Sequence, residues 1–581
     1  MARIEKKISF INLCMCLVLF IIIMRLLYLQ VILVHELTHK SEQNFLRWHN
    51  IPSLRGDIVD THMRLLATNR PVVDLCWQAG KQRMPKEEIL ELLLAVEMLM
   101  DQAMDIDTLL PQIILAEKTG THVVIAKDIS FTTLVKIKEQ YADHSVIVTR
   151  HRFTRYYPHQ LSACHIVGYL NSFDLQPYGK MGVEKLLNNV LQGEHGTTLT
   201  VINAVGTPIT QTSIRSMQPG TTVHTTLDLD LQLITESVFG QELIGSFILM
   251  DPISGALRAL VSRPAFDPSM FLTAITQKQW QEVQERRPFL NRALDTAYPP
   301  GSIFKLVTIS AALENGYIHR DSHWYCPGYS TFCDRRYYCH KREGHGKVSV
   351  IEAVAYSCNP LFFELGKQMD IDLIARYATI FGLGTPTGIA LSEHKGLVPT
   401  RSWKKKCKGE SWWQGETLSA AIGQSFLLAT PIQVARMISG IFTGYLVNPR
   451  ILETEPIIKT PLTLQRDTLD FLRTSMRSVV TTGSGRQVSH IRDMHIYAKT
   501  ATAQTSALER RKDGTRYQEH GWFVCHITYK NTAPLVIVVV LENIGSSREA
   551  VKLAHDFLMS YKKYIDEQQV EQNALIGLQI Q

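Results

Sequence analysis

The chain opens on the polar, basic stretch "MARIEKK" and then runs uncharged from Ile8 to Met24; after Arg25 the apolar character resumes through Val34. About 20 apolar residues suffice to cross a bilayer, and an arginine near the end of such a run can snorkel to the interface. The pattern predicts a spanning helix over 8–34. Arg3, Lys6 and Lys7 precede it, which by the positive-inside tendency leaves a cytoplasmic stub of residues 1–7 and puts the bulk of the chain outside. No small-x-small cleavage site follows, so the anchor is expected to be retained.

From about residue 44 to 225 short apolar runs alternate with helical patches such as "KEEILELLLAVEMLM", which reads as a separate α+β region without a catalytic constellation. The pattern then changes. "GSFILMDPISGALRALVS" gives two β-rich runs around a Pro-Ile-Ser-Gly turn, and "HGWFVCHITYKNTAPLVIVVVLEN" gives two more around a polar loop. Strands at both ends with helices between predict one α/β domain over 226–563, its sheet assembled from distant segments. Residues 564–581 read as a polar tail, and no solenoid-period repeat is present.

Composition narrows the function. With 581 residues, 45% of them apolar, the chain can fill two or three packed domains. A net charge of +7 from 61 basic and 54 acidic residues, without a long basic run, argues against a nucleic-acid partner.

Candidate chemistry begins at "AYPPGSIFKLVTISAALENG", where two prolines and a glycine precede Ser302 and an apolar-periodic stretch follows, as at a helix start. Lys305 lies three residues on, on the same helix face, and a serine needs such a base to become a nucleophile. The same spacing recurs at Ser392/Lys395, Ser402/Lys405 and Ser560/Lys563, none behind a Pro-Pro-Gly turn. What distinguishes Ser302 is its company. Ser357-Cys358-Asn359, the chain's only Ser-x-Asn, follows, and Lys499-Thr500-Ala501-Thr502 comes later in a predicted strand. An intact Lys-Thr-Gly-Thr at 118–121 precedes the serine and follows a helix-like segment, so it is set aside.

Ten cysteines include a cluster, Cys326, Cys333, Cys339 and Cys358, within "YCPGYSTFCDRRYYCHKREGHGKVSVIEAVAYSCN". Cys326, Cys339, His345 and Cys358 would suit a tetrahedral zinc site, with Cys333 and His340 in reserve. One or two disulfides are the alternative in an exported chain; the histidine favours metal.

Ser-x-x-Lys, Ser-x-Asn and Lys-Thr-x-Thr in this order form the constellation of penicillin-recognising serine enzymes. The chain resembles a class B penicillin-binding protein of the elongation-type penicillin-binding protein 2 group. "SLRGDIVDTHMRLLATN", "RYYPHQLSACHIVGYL", "GKMGVEKLLNNVLQGEHG" and "TTLDLDLQ" look like pedestal signatures, and "GESWWQGETLSAAIGQSFLLATPIQVA" and "HGWFVCHI" like transpeptidase-domain ones. The resemblance implies a penicillin-binding-protein/β-lactamase-like domain whose five-stranded sheet is flanked by helices, set on a pedestal or dimerisation-like domain over 44–225. It implies a periplasmic peptidoglycan D,D-transpeptidase active in cell elongation and inhibited by β-lactams. Ser302 would attack a D-Ala-D-Ala stem peptide, Lys305 take its proton, and an amine from a second stem peptide resolve the acyl-enzyme. Ser357, Asn359 and Lys499 would complete the machinery, with Thr500, Ala501 and Thr502 binding substrate. No catalytic cofactor is implied. A structural zinc is, because some elongation-type relatives hold a metal beside the second motif. Implied partners are a SEDS-family glycosyltransferase and other elongation-complex proteins. The competing readings are an inactive scaffold and a hydrolase such as a carboxypeptidase or β-lactam sensor.

The chain departs from the family pattern at Ser425, where a glycine often follows Gly-Gln, and at Ala501 in place of glycine; every polar group of the third motif survives, so a working strand is expected. In an extended strand Ala501 adds only a methyl group; at positive φ it would cost about 1 kcal/mol or more. Lys305 needs its pKa lowered by roughly 2 to 3 units to act as a base near neutrality, and burial and the Lys499 charge both push that way.

Overall fold

The computed structural model describes residues 2–79, 83–100, 103–141, 144–171, 177–203, 208–272, 275, 277–504 and 518–579, and these form two compact units. The first unit takes residues 1–56 and 189–221. Its apolar run is helical, with Lys6–Ile32 long enough to cross a bilayer. The helix Ala2–Leu27 passes through one π turn, Tyr28–Ile32, into a second helix, Val34–Phe45. Strand Leu46–Ile51 then pairs antiparallel with Gly196–Ile202, which pairs with Pro208–Arg215. Gly56 is required by a close approach: a Cβ there would lie 2.1 Å from the Thr221 carbonyl oxygen.

The second unit holds residues 57–188 and 222–581. Its earlier part packs the helices Lys86–Glu97 and Ile106–Thr119 on a strand, Leu65–Gln78, around buried Leu75, Trp77, Leu93 and Ile113. The helix foreseen in "KEEILELLLAVEMLM" is the first of these.

The later part carries the candidate chemistry. Strands β1 (Gly245–Met250) and β2 (Leu257–Arg263) form one predicted hairpin. Helices α1 (Lys305–Glu314), α2 (Asn359–Gln368), α3 (Pro431–Thr443) and α4 (Arg466–Thr481) follow. Then come β3 (Met494–Ala503), β4 (His520–Tyr529), β5 (Leu535–Leu541) and α5 (Arg548–Gln579). The five strands form one antiparallel sheet in the order β2-β1-β5-β4-β3, which leaves β3 on an edge.

Both faces of the sheet are covered, which is why "LVIVVVL" is apolar at every position rather than at alternate ones. Phe247 meets Phe557 of α5 at 5.2 Å between ring centroids. On the opposite face His526 of β4 stacks on Phe442 of α3 at 3.9 Å. The polar tail expected over 564–581 is instead helical through Gln579, the last described residue. Rich in Glu and Gln and without a proline, it extends α5, and Tyr564 bonds Asp230 at 2.8 Å.

The turn before α1 is braced from a distant loop. Gly301 N–H donates to the Gly423 carbonyl at 2.9 Å, and a Cβ on Gly423 would lie 2.1 Å from the Gly301 oxygen. Two residues on, Ser425 adopts φ +67°, the left-handed region that glycine occupies without a Cβ penalty. Ser425→Gly should therefore raise stability by about 0.5–1 kcal/mol, the relief of strain being partly offset by glycine's freedom in the unfolded chain. A thermal-shift comparison checks this; a lower midpoint would mean that the serine side chain holds the turn.

Candidate active site

Ser302 lies in a 3-10 turn, Gly301–Ile303, just ahead of α1 rather than within its first α-helical turn. The two prolines and positive-φ Gly301 (φ +53°) deliver the chain to this turn. Ser302 is half-buried. Lys305, the first residue of α1, is fully buried.

The amine of Lys305 is held by the second motif. Its Nζ donates to the Ser357 carbonyl at 2.8 Å, to Ser357 Oγ at 3.1 Å and to Asn359 Oδ1 at 2.7 Å, which engages all three protons of the ammonium. Ser357 reaches this position by adopting φ +55°, a conformation uncommon for a residue with a Cβ and often found where function over-determines the backbone. Cys358 then N-caps α2, and Asn359 begins it.

The third motif lies on β3. Lys499 is fully buried and donates to the Thr500 carbonyl at 3.0 Å. Burial lowers the Lys305 pKa to about 8, with the neighbouring Cys358 and Cys339 opposing the shift. Lys499 is pushed well below its ordinary value, first by burial and then by the charge on Lys305. Burial is the largest cause at both amines, and the mutual repulsion of the pair falls on the proton that is less well solvated, that of Lys499. Two ammonium groups cannot both remain charged in so dry a space, and the amine with three acceptors keeps its proton longer.

Ala501 is extended and pairs with Trp522 of β4, so its methyl group imposes no backbone strain. It is buried, and its Cβ faces the Gly301 backbone: a Cβ built on Gly301 would lie 3.3 Å away. The intact Lys-Thr-Gly-Thr at 118–121 has another role. Lys118 and Thr119 end a helix, and Gly120 (φ +66°) is its left-handed C-cap.

Sequence reasoning missed several residues around this centre. Ser484 and Thr500 share a hydroxyl–hydroxyl hydrogen bond of 2.5 Å. Ser484 sits in a Gly-Ser-Gly turn, and its N–H donates to the Ala355 carbonyl at 3.3 Å, linking the second and third motifs. No motif flags it; its turn composition is the sole signal. Ahead of Ser302, Tyr298 donates to Glu542 at 2.7 Å and Arg292 donates to the same oxygen at 2.9 Å. Trp522 Nε1 donates to the Pro299 carbonyl at 3.1 Å. These bonds tie the turn to β4 and to the end of β5.

The cysteine cluster borders the second motif. Cys326, Cys339, His345 and Cys358 bring one donor atom each within 4.8 Å of one another, and all three cysteines are free thiols. A zinc ion with four bonds of about 2.1 to 2.3 Å spaces its ligands roughly 3.5 to 3.8 Å apart, and Cys339 Sγ lies 3.6 Å from His345 Nδ1. Three sulfurs and an imidazole fit such an ion. Cys333, held in reserve on sequence grounds, is exposed and outside the group.

The arrangement offers a hydroxyl at a helix start, one buried amine whose pKa is lowered to about 8, a second pushed well below its ordinary value, and a strand edge bearing two threonines. Comparison with known proteins agrees with the fold. Residues 245–558 match the penicillin binding protein transpeptidase domain, and 50–225 match the penicillin-binding protein dimerisation domain. A protein called peptidoglycan D,D-transpeptidase MrdA, from Acinetobacter baumannii, is 29% identical over 94% of this chain and 86% of its own length. A chain in a solved peptidoglycan synthase complex is 28% identical, with TM-score 0.73 over 96% of this chain and 98% of its own. PBP2 of Helicobacter pylori, solved in complex with MreC, shares the fold at TM-score 0.76 and 24% identity, covering 89% of this chain and 99% of that one. With the transpeptidase-domain match alone spanning more than half of the sequence, the chain belongs to the penicillin-binding protein transpeptidase family.

Proposed function

We propose that the protein is a serine D,D-transpeptidase that cross-links peptidoglycan stem peptides, anchored in the membrane by its N-terminal helix. The observation that carries this reading is the Lys305 amine, buried one short turn from Ser302 and bonded to both Ser357 and Asn359. Ser302 Oγ attacks the carbonyl carbon of the penultimate D-Ala while its proton passes to neutral Lys305. Backbone N–H groups of Ser302 and Thr502 stabilise the oxyanion. The tetrahedral adduct collapses, the C–N bond breaks, and D-Ala leaves carrying a proton relayed through Ser357. The amine of a second stem peptide then attacks the acyl-enzyme and regenerates the Ser302 hydroxyl. The Thr500 and Thr502 hydroxyls bind the donor's terminal carboxylate, with Ser484 orienting Thr500.

The basic residues ahead of the anchor support, by the positive-inside tendency, a cytoplasmic N-terminus and a periplasmic catalytic domain. Polymerisation of the glycan falls to a SEDS-family glycosyltransferase, and other elongation-complex proteins join the two. Zinc at Cys326, Cys339, His345 and Cys358 is structural: when bound it supplies a rigid cross-link, fixing Cys358 at the N-cap of α2 and with it the neighbouring Ser357 and Asn359.

Fluorescent penicillin should label the detergent-solubilised full chain, and Ser302→Ala should abolish labelling. Absence of label on well-folded wild type would return the chain to a non-catalytic scaffold. Since the free amine is the base and its pKa is about 8, the acylation rate should rise with pH and level off above that value. A flat profile between about pH 6.5 and 9 would remove Lys305 from the base role. Elemental analysis should find one zinc per chain, and Cys339→Ser should lose it with a fall in Tm of about 5 °C, equivalent to roughly 2 kcal/mol. Zinc-free protein of unchanged Tm would leave disulfides as the role of the cysteines.

A further inference from the structure

Between β-strand His323–Cys326 and its partner Gly346–Ser349 the chain forms a small hairpin, Tyr329–Phe332 paired with Arg335–Tyr338. Alternation along its strands separates two faces. On the inner face Ser330 donates to Glu364 of α2 at 2.8 Å, and Tyr337 packs on Phe363 of α2 at 5.4 Å. The outer face presents Tyr329 and Tyr338, directly paired and 37% and 45% exposed. Arg336 lies over the Tyr329 ring at 4.9 Å, and Arg342 over the Tyr338 ring at 4.0 Å.

A guanidinium on a ring face is held by cation–π attraction and keeps its N–H donors for another partner. Among the described residues neither arginine takes part in an ion pair or donates a hydrogen bond to the protein. From Arg335 to Lys347 there are five basic residues, Arg335, Arg336, Lys341, Arg342 and Lys347, against one acidic, Glu343. The face also borders the catalytic centre. Asn359 Nδ2 donates to the Tyr338 carbonyl at 3.3 Å, while its Oδ1 accepts from Lys305 at 2.7 Å.

We propose that Arg336 and Arg342, splayed on Tyr329 and Tyr338, dock the free carboxylates of the acceptor stem peptide and so select the strand that resolves the acyl-enzyme. This rests on the transpeptidase reading and specifies its second substrate. Planar, pre-set guanidiniums suit paired contacts to carboxylates, and the exposed rings offer apolar surface to the peptide between them. The hairpin's attachment to α2 gives the docked strand a fixed position relative to Asn359.

The test uses the full chain in detergent, a small thioester donor ending in D-Ala, and two acceptor peptides bearing the same amine. One acceptor carries free carboxylates and the other has them amidated. Wild type should favour the free form by about tenfold in acceptor-dependent aminolysis. Arg336→Gln with Arg342→Gln should erase that preference by raising the acceptor KM, leaving fluorescent-penicillin labelling of Ser302 and its pH profile as in wild type. No preference in wild type, or a preference that survives both substitutions, overturns the proposal. So does a double variant that keeps the preference but loses binding to vesicles containing phosphatidylglycerol, which would assign the face to the membrane. Failure of wild type to take up penicillin at all would instead strike the transpeptidase reading, so the two failures are told apart.

Discussion

Burial of two lysine amines in one site is the constraint on which the rest of this structure depends. Lys305 and Lys499 are both fully buried, and a lone ammonium in such surroundings would be strongly disfavoured. The structure answers by giving one amine three oxygen acceptors and leaving the other near a single carbonyl. That asymmetry needs three distant segments at once: a helix start to carry Lys305, a left-handed turn at Ser357 to aim a carbonyl and a hydroxyl, and a sheet edge to bring Lys499. The packing around them is best understood as what holds these segments in register. Gly423 lies against Gly301, Gly483 against the Ala355 carbonyl, and Trp522 donates to Pro299, each contact crossing between elements far apart in sequence.

The parts of this site that are local in sequence were legible, and the parts that arise from convergence were not. Pro-Pro-Gly before an apolar-periodic run announces a helix start, and alternation with turn residues announces the hairpins of the sheet. The four metal-competent residues could be named from composition because cysteine is scarce and a histidine lay among them. Ser484 could not. It meets Thr500 only because the end of α4 and the strand β3 run past one another, and nothing in "TTGSGR" records that. Tyr298 and Glu542, 244 residues apart, are likewise joined only by the fold. Which of the two amines holds its proton longer was also out of reach, since it depends on which of them the second motif solvates.

Charge and a cluster able to hold a metal meet in the hairpin that follows α1. Its inner face is committed to α2 through Ser330 and Tyr337, so whatever fixes the hairpin also fixes Asn359. The four-donor cluster sits at the base of this connection, with one donor, Cys358, inside the second motif itself. A cross-link placed there restrains the backbone on both sides of the motif more effectively than one placed at the hairpin tip, because it closes the short path between Cys339 and the N-cap of α2.

Ala501 shows how a departure from a family pattern is absorbed. Its extended backbone removes the conformational penalty, so the remaining question is where the methyl group goes. It points with Lys499 toward α1, where the adjacent residue is Gly301, whose positive φ and missing side chain leave the space open. A side chain at 301 would have to share that space at 3.3 Å, closer than most such contacts tolerate. Alanine at 501 therefore binds the third motif more tightly to a glycine at 301, and the donors and acceptors of Lys499, Thr500 and Thr502 are left as they would be with glycine. The substitution changes packing behind the strand edge, while the chemistry proposed for that edge depends on hydroxyls and N–H groups that alanine leaves in place.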